Sequence, residues 1–213
     1  MKLLHYLLLS LLSSCIFTFS PAQSGSKLFF REDWKEIEAE LPVTQRHVSN
    51  ADIVLSLYGP ASGAIKKSNH PNIPNDPFYI WSGECKANWA VGLRDKTRLV
   101  DLTGDSKIKV RSKQSGFRQL RITLKLADGT WLVSDQYAGF TVDWSEKEFN
   151  VNEMRWRRLN IETVTEGPWA ENPDLSRVAE IGFTDLMSGG GTPASSRLDW
   201  IEVYGEPVNG LAR

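Results

Sequence analysis

The residues of this chain best suited to chemistry are His70, Tyr79 and Tyr137, set among lysines and arginines. His70 sits in the polar stretch Ile65-Lys66-Lys67-Ser68-Asn69-His70-Pro71. Tyr79 follows in Phe78-Tyr79-Ile80-Trp81-Ser82-Gly83, and Tyr137 ends Ser134-Asp135-Gln136-Tyr137. Lys107, Lys109, Arg111 and Lys113 share one parity; Gln114 comes next, then Arg118, Arg121 and Lys125. Elimination from a uronic acid needs these types of group. Cations or donors on the carboxylate stabilise the enediolate-like intermediate. A base, usually Tyr, His or Lys, takes the C5 proton, and an acid protonates the group leaving C4. A leaving sugar makes a lyase, a leaving hydroxyl a dehydratase. The expected assignment puts Arg111, Lys113, Gln114 and Arg118 on the carboxylate and any sulfate. It makes His70 or Tyr137 the base and the other, or Tyr79, the acid. Trp81 and Trp89 are the candidates for stacking on sugar rings.

Other chemistries find less support. Hydrolysis by paired carboxylates needs two acids facing one bond. Glu146 and Glu148 read as acids of a polar loop before Phe149. Asp199 and Glu202, three apart, should face opposite sides of a strand. His47 and His70 lie outside any metal-spaced motif. No cofactor is required, and a structural calcium on loop acids such as Asp101, Asp105 or Asp199 remains compatible with the sequence. Ser188 to Gly191 is no phosphate loop, because no Lys-Ser/Thr follows. A net charge of −1, from 25 basic and 26 acidic residues, gives no global case for nucleic acid. Cys85 reads as a small buried residue rather than a nucleophile.

The elements that must position these groups are strands. Lys107 to Arg111 and Leu120 to Leu126 alternate with period two, and Ala127-Asp128-Gly129-Thr130 is a hairpin turn into Trp131 to Ser134. Val48 to Tyr58, Phe78 to Leu93, Trp156 to Ile161, Val178 to Phe183 and Leu198 to Tyr204 supply further strands. The longest helical stretch available is Arg31 to Glu40, with poorly sorted faces. The expectation is an all-β chain: a single antiparallel β-sandwich of jelly-roll type, with short helical turns at most. It should occupy residues 27–208, with a polar tail that begins near Glu206 and leaves 209–213 outside the domain. If the basic strands pair with one another, one sheet face gathers cations despite the near-neutral total. The opposing expectation is a solvated face balanced by Glu146, Glu148 and Glu162.

The ending Leu198-Asp199-Trp200-Ile201-Glu202-Val203-Tyr204 resembles the last strand of jelly-roll carbohydrate-binding modules of the galactose-binding-like type. Leu126-Ala127-Asp128-Gly129-Thr130-Trp131, after an alternating basic strand, resembles the same group. In size, export signal and strand pattern the chain also resembles the oligosaccharide dehydratases of ulvan breakdown. That resemblance implies an acidic, uronate-containing oligosaccharide as partner and an unsaturated uronate as product. The alternatives are a non-catalytic carbohydrate-binding module and a structural surface protein whose aromatics are all core.

The amino terminus reads as an address. Met1-Lys2, the apolar run from Leu3 to Leu12 and Ser20-Pro21-Ala22 describe an export signal over residues 1–22. Leu12-Ser13-Ser14-Cys15 competes as a lipobox, with a signal over 1–14 and Cys15 lipidated. Either way the expected location is periplasmic, secreted or anchored to an outer membrane by lipid on Cys15.

Overall fold

The computed structural model describes residues 25–84, 86–187 and 193–210. The expected export segment, Cys15, Cys85 and Ser188 to Gly191 lie outside the described residues. Among the described residues there are fifteen strands: β1 (Leu28–Glu32), β2 (Ile53–Tyr58), β3 (Lys66–Ser68), β4 (Tyr79–Trp81), β5 (Ala90–Asp95), β6 (Arg98–Asp101), β7 (Lys107–Gln114), β8 (Leu120–Leu126), β9 (Trp131–Ala138), β10 (Ser145–Asn150), β11 (Trp156–Asn160), β12 (Thr165–Trp169), β13 (Val178–Thr184), β14 (Ser196–Tyr204) and β15 (Glu206–Asn209). The only helical pieces among the described residues are 3-10 turns at Gln45–His47, Ser62–Ala64 and Val151–Glu153.

The strands form two sheets packed as a β-sandwich. The front sheet runs β10-β7-β14-β4-β3, with β1 also paired to β14. The back sheet runs β12-β11-β9-β8-β13-β5-β2, with β6 on β13 and β15 on β6. Every strand pair is antiparallel. The chain crosses repeatedly from one sheet to the other, as in a jelly roll.

Alternation explains the layers. On β7, Ile108, Val110, Ser112 and Gln114 are buried while Lys107, Lys109, Arg111 and Lys113 face out. Ile108 and Val110 join Leu198, Ile201 and Val203 of β14 and Ile122 and Leu124 of β8 in the core between the sheets. Each such side chain contributes about 1.5–3 kcal/mol through burial. The turn after β8 needs Gly129 at φ 88, a left-handed position, and Asp128 Oδ1 accepts from Thr130 N at 2.8 Å.

Several expectations are corrected. Arg31 to Glu40 forms no helix: its start is β1, and Glu40 makes an isolated bridge to Lys67. Glu146 and Glu148 stand on a strand, β10, paired with β7, not in a loop. Residues 206–209 are not tail but β15, paired with β6. The basic strands do not share a face: β7 is in the front sheet, while β8, which carries Arg121 and Lys125, is in the back sheet. The chain switches sheets between β7 and β8, and that crossover separates neighbours in sequence.

Asp199 and Glu202 also depart from simple parity. The β7–β14 register shifts between Leu198 and Trp200, so Leu198 opposes Ser112 and Trp200 opposes Arg111. This β-bulge inserts one residue and resets the alternation. Asp199 therefore reaches Arg111 while Glu202 reaches Arg31, both on the outer face.

Candidate functional site

The outer face of the front sheet carries a cavity of about 220 Å³, lined by His70, Ile73, Asp76, Tyr79, Lys113, Trp144 and Arg197. Four segments meet there: the β3–β4 loop, β4, the β7 end with the approach to β10, and the start of β14.

The β3–β4 loop is fixed from within. Pro71, Pro74 and Pro77 restrict its backbone. Asp76 Oδ2 accepts from the His70 backbone N at 2.7 Å and lies 3.0 Å from His70 Nδ1. The imidazole remains open to solvent, with its side chain 54% exposed. Tyr79 is only 2% exposed, yet its hydroxyl oxygen lies 3.1 Å from His70 Nδ1. Burial pushes the Tyr79 hydroxyl above the ordinary phenol value, with Asp76 adding to the rise and Ser68 and Arg197 opposing it. Tyr79 packs on Trp144, with ring centroids 5.2 Å apart.

The cations come from paired strands. Arg197 of β14 lies directly across from Lys113 of β7. Lys113 has a loose partner, Asp143, at 3.5 Å, and Asp143 is 79% exposed. Among the described residues no carboxylate lies within ion-pair distance of Arg197. Buried groups hold the backbone that carries it. Ser196 Oγ donates to Asp185 Oδ2 at 2.8 Å, and Ser196 N donates to Ser82 Oγ at 3.0 Å. Arg118, fully buried, donates from Nε to the Ala194 carbonyl at 3.0 Å and lies 3.6 Å from Asp185.

The expected site residues are only partly gathered. His70, Tyr79 and Lys113 line one cavity. Trp81 stands beside it on β4, in a neighbouring groove. Tyr137 does not join them: it stands on β9 of the back sheet, opposite Arg121. Arg111 is engaged by Asp199 and has its guanidinium carbon 5.7 Å from the Trp144 ring centre, so it supports the wall of the cavity. Gln114 is buried, on the inner parity of β7, and donates to the Arg197 carbonyl at 3.3 Å. Arg118 is likewise interior, and its neighbour in sequence, Phe117, lines a different depression. Trp89 is core, edge-on to Phe183 at 6.0 Å. The direction of these side chains depends on pairing that local pattern does not fix.

Sequence reasoning missed Asp76, Trp144 and Arg197. Asp76 and Arg197 each lie in a short polar segment without a motif. Trp144 was visible as a loop tryptophan, with nothing to say which wall it formed. The cations of the exposed ladder are mostly balanced: Glu148 lies 3.3 Å from Lys107 and 3.2 Å from Lys109. Such exposed pairs contribute little to stability. The solvated-face expectation thus describes most of β7, and only its Lys113 end opens on the cavity. Asp101 and Asp199, named for calcium, serve Thr103 and Arg111 respectively. Among the described residues no group of three His, Cys, Asp or Glu is placed to hold a metal ion.

No known protein-family profile matches the chain, and no curated protein matches it. Among solved structures, the family 11 carbohydrate-binding module of the cellulosomal cellulase Lic26A-Cel5E of Clostridium thermocellum is 13% identical, with a TM-score of 0.47 over 85% of this chain and 95% of that one. The family 11 module from Clostridium thermocellum in complex with a β-1,3-1,4-mixed-linked tetrasaccharide is also 13% identical, with a TM-score of 0.46 over 78% and 95%. An exo-β-agarase is 9% identical, with a TM-score of 0.45 over 76% of this chain and 24% of that one. Likenesses of this size carry no inference about ligand or reaction.

Proposed function

We propose that this chain is a carbohydrate-active protein of an exported system. Its cavity receives the non-reducing-end uronate of an acidic oligosaccharide, such as those from ulvan, and eliminates water across C4 and C5. One observation carries this reading. Arg197 and Lys113 lie directly opposite each other on adjacent strands, facing the same cavity as His70 and Tyr79. Like charges in that position destabilise a sheet. A carboxylate bound between them removes the repulsion and gains charge-assisted hydrogen bonds. The cavity is small by the standard of ligand sites, about 300–1,000 Å³, which favours a single terminal sugar.

The groups then divide the work. Asp76 holds Nδ1 of His70, leaving Nε2 to take the C5 proton. Arg197 and Lys113 hold the carboxylate as charge moves onto it. Tyr79 stays a neutral phenol because burial opposes its ionisation, so it can give its proton to the leaving C4 hydroxyl. The C5–H and C4–O bonds break, the C4–C5 double bond forms, and water departs. The imidazolium passes its Nδ1 proton to the Tyr79 phenolate across their contact, and the solvent-open ring then loses the Nε2 proton and regains one on Nδ1 through water, so the pair is reset without a cofactor. Export through the residue 1–22 signal, or lipid attachment at Cys15, is part of the same proposal.

A second reading, a carbohydrate-binding module without chemistry, is favoured by the apolar groove over Trp81 that adjoins the cavity. The test mixes the protein with uronate-terminated oligosaccharides and follows ultraviolet absorbance of the conjugated alkene. Growth of that signal without release of a sugar supports the dehydratase. Binding without signal supports the module, and no binding by any acidic oligosaccharide overturns both.

A further inference from the structure

We infer that the groove over Trp81 is the subsite for the second sugar ring, so that the preferred ligand is at least a disaccharide leaving the molecule across β3. This rests on the uronate-binding reading of the cavity. Tyr79 and Trp81 are two residues apart on β4, so both point outward, roughly 6.6 Å apart along the strand. That step is comparable to the passage from one sugar ring to the next. Arg197, which lines the cavity, stands directly across from Trp81 in the β14–β4 register. The cavity and the groove are therefore bordered by facing residues, Arg197 and Trp81.

The groove has the character of a stacking site. It measures about 320 Å³, and Leu41, Ala64, Lys66 and Trp81 are among its lining residues. Lys66, paired with Trp81 across β3 and β4, places Nζ 5.7 Å from the indole centre. Lys86 and Glu84 also line it, paired with each other at 3.3 Å. An apolar wall with one indole, bordered by charged groups, suits a pyranose, whose C–H faces are apolar and whose rim is hydroxylated. The direction is set by what surrounds it. Trp144 closes the cavity on the β10 side, while β3 is the edge of the front sheet. The terminal ring thus sits toward Lys113 and Trp144, and the rest of the oligosaccharide leaves over Trp81 and the β3 edge.

The experiment compares a uronic acid methyl glycoside with a disaccharide bearing the same uronate at its non-reducing end. In the native protein kcat/KM should favour the disaccharide by about tenfold. Trp81→Ala should abolish that preference and Trp81→Phe should keep part of it, with folding of both variants checked by circular dichroism and thermal melting. A native protein without the preference, or a folded Trp81→Ala variant that retains it, overturns the subsite. If neither compound is eliminated, the same pair is titrated by calorimetry. A disaccharide preference in affinity that Trp81→Ala removes keeps the subsite while overturning the elimination reading. Equal affinities, or a preference untouched by the substitution, overturn the subsite.

Discussion

Two clusters on opposite faces of the sandwich use nearly the same parts. On the front sheet Tyr79 packs on Trp144 at 5.2 Å, with Asp76, Lys113 and Arg197 around it. On the back sheet Tyr58 packs edge-on to Trp131 at 5.0 Å, with Glu180 as its acceptor at 2.9 Å and Arg94 and Lys125 nearby. Burial raises both tyrosines, Tyr58 to about 12. The difference lies in closure. Trp131 belongs to a small buried cluster with Leu159 and Val164, and Leu186 packs against it. Glu180 is pressed on Gly92, where an added Cβ would lie 1.6 Å from Oε1. The buried charge there, Glu180, accepts from the Tyr58 hydroxyl within a packed layer, while the half-buried Arg94 reaches the Asp95 carbonyl and Lys125 lies over the Trp131 ring. The front cluster instead sets on a cavity a half-exposed imidazole and a guanidinium that has no carboxylate partner among the described residues. The same residue types stabilise where they are covered and become available to a ligand where they are not.

The largest expected effect breaks the front cluster alone. His70→Ala and Tyr79→Phe should each lower kcat for uronate elimination by about 10²–10⁴-fold. Tyr58→Phe should leave kcat unchanged and cost about 1 kcal/mol of stability, measured by denaturant unfolding. Equal losses of activity in Tyr58→Phe and Tyr79→Phe would erase the distinction between the clusters. Next, Arg197→Ala should raise KM by about 10–100-fold, the loss expected for a charge-assisted hydrogen bond of about 1.5–3 kcal/mol. Initial rates across substrate concentrations check it. Gly92→Ala should destabilise the back cluster by about 1–3 kcal/mol through overpacking against Glu180, read as a lower unfolding midpoint.

The smallest effect concerns Lys67, a fully buried lysine near the β3 end of the front sheet. Its Nζ lies 4.3 Å from the Phe78 ring centre, and burial pushes its ammonium down to about 8. Between about pH 8 and the ordinary lysine value of about 10.4, the unfolded chain holds more protons than the folded one. Stability therefore rises with pH across that window, and below it the cost of a buried charge is fully present. Lys67→Met should raise stability at pH 7 by about 1–2 kcal/mol and flatten the rise. Urea unfolding at pH 7, 8 and 10 tests the sign, and a steeper rise in the variant would contradict it.

Local pattern was enough for β7, β8, the Asp128-Gly129 turn and β14, because one buried face per strand forces alternation. It was not enough for β10 or β15. Ser145–Asn150 and Glu206–Asn209 are polar, and they are strands because β7 and β6 offer them unpaired backbone. The candidate site shows the same division. His70, Tyr79 and Lys113 were legible as chemical types at the ends of strands. Tyr137, Arg118 and Trp89 were equally plausible as types, and packing sent the first to the back sheet and the others inward. Arg197 had no local mark at all.

The sequence by itself determined the class of the fold and the kind of chemistry its side chains could support. Period-two burial and turn residues act over a few positions, and so does the acid–base character of a histidine or tyrosine. Which charges face one another was decided only in the tertiary structure. The pairing of β14 with both β7 and β4 brings Arg197 to Lys113 and Trp81, positions 84 and 116 residues away along the chain. At the bulge the Asp199 carboxylate is taken by Arg111. Long-range hydrogen bonding thus placed beside His70 and Tyr79 a guanidinium with no carboxylate partner among the described residues, and no local pattern records that arrangement.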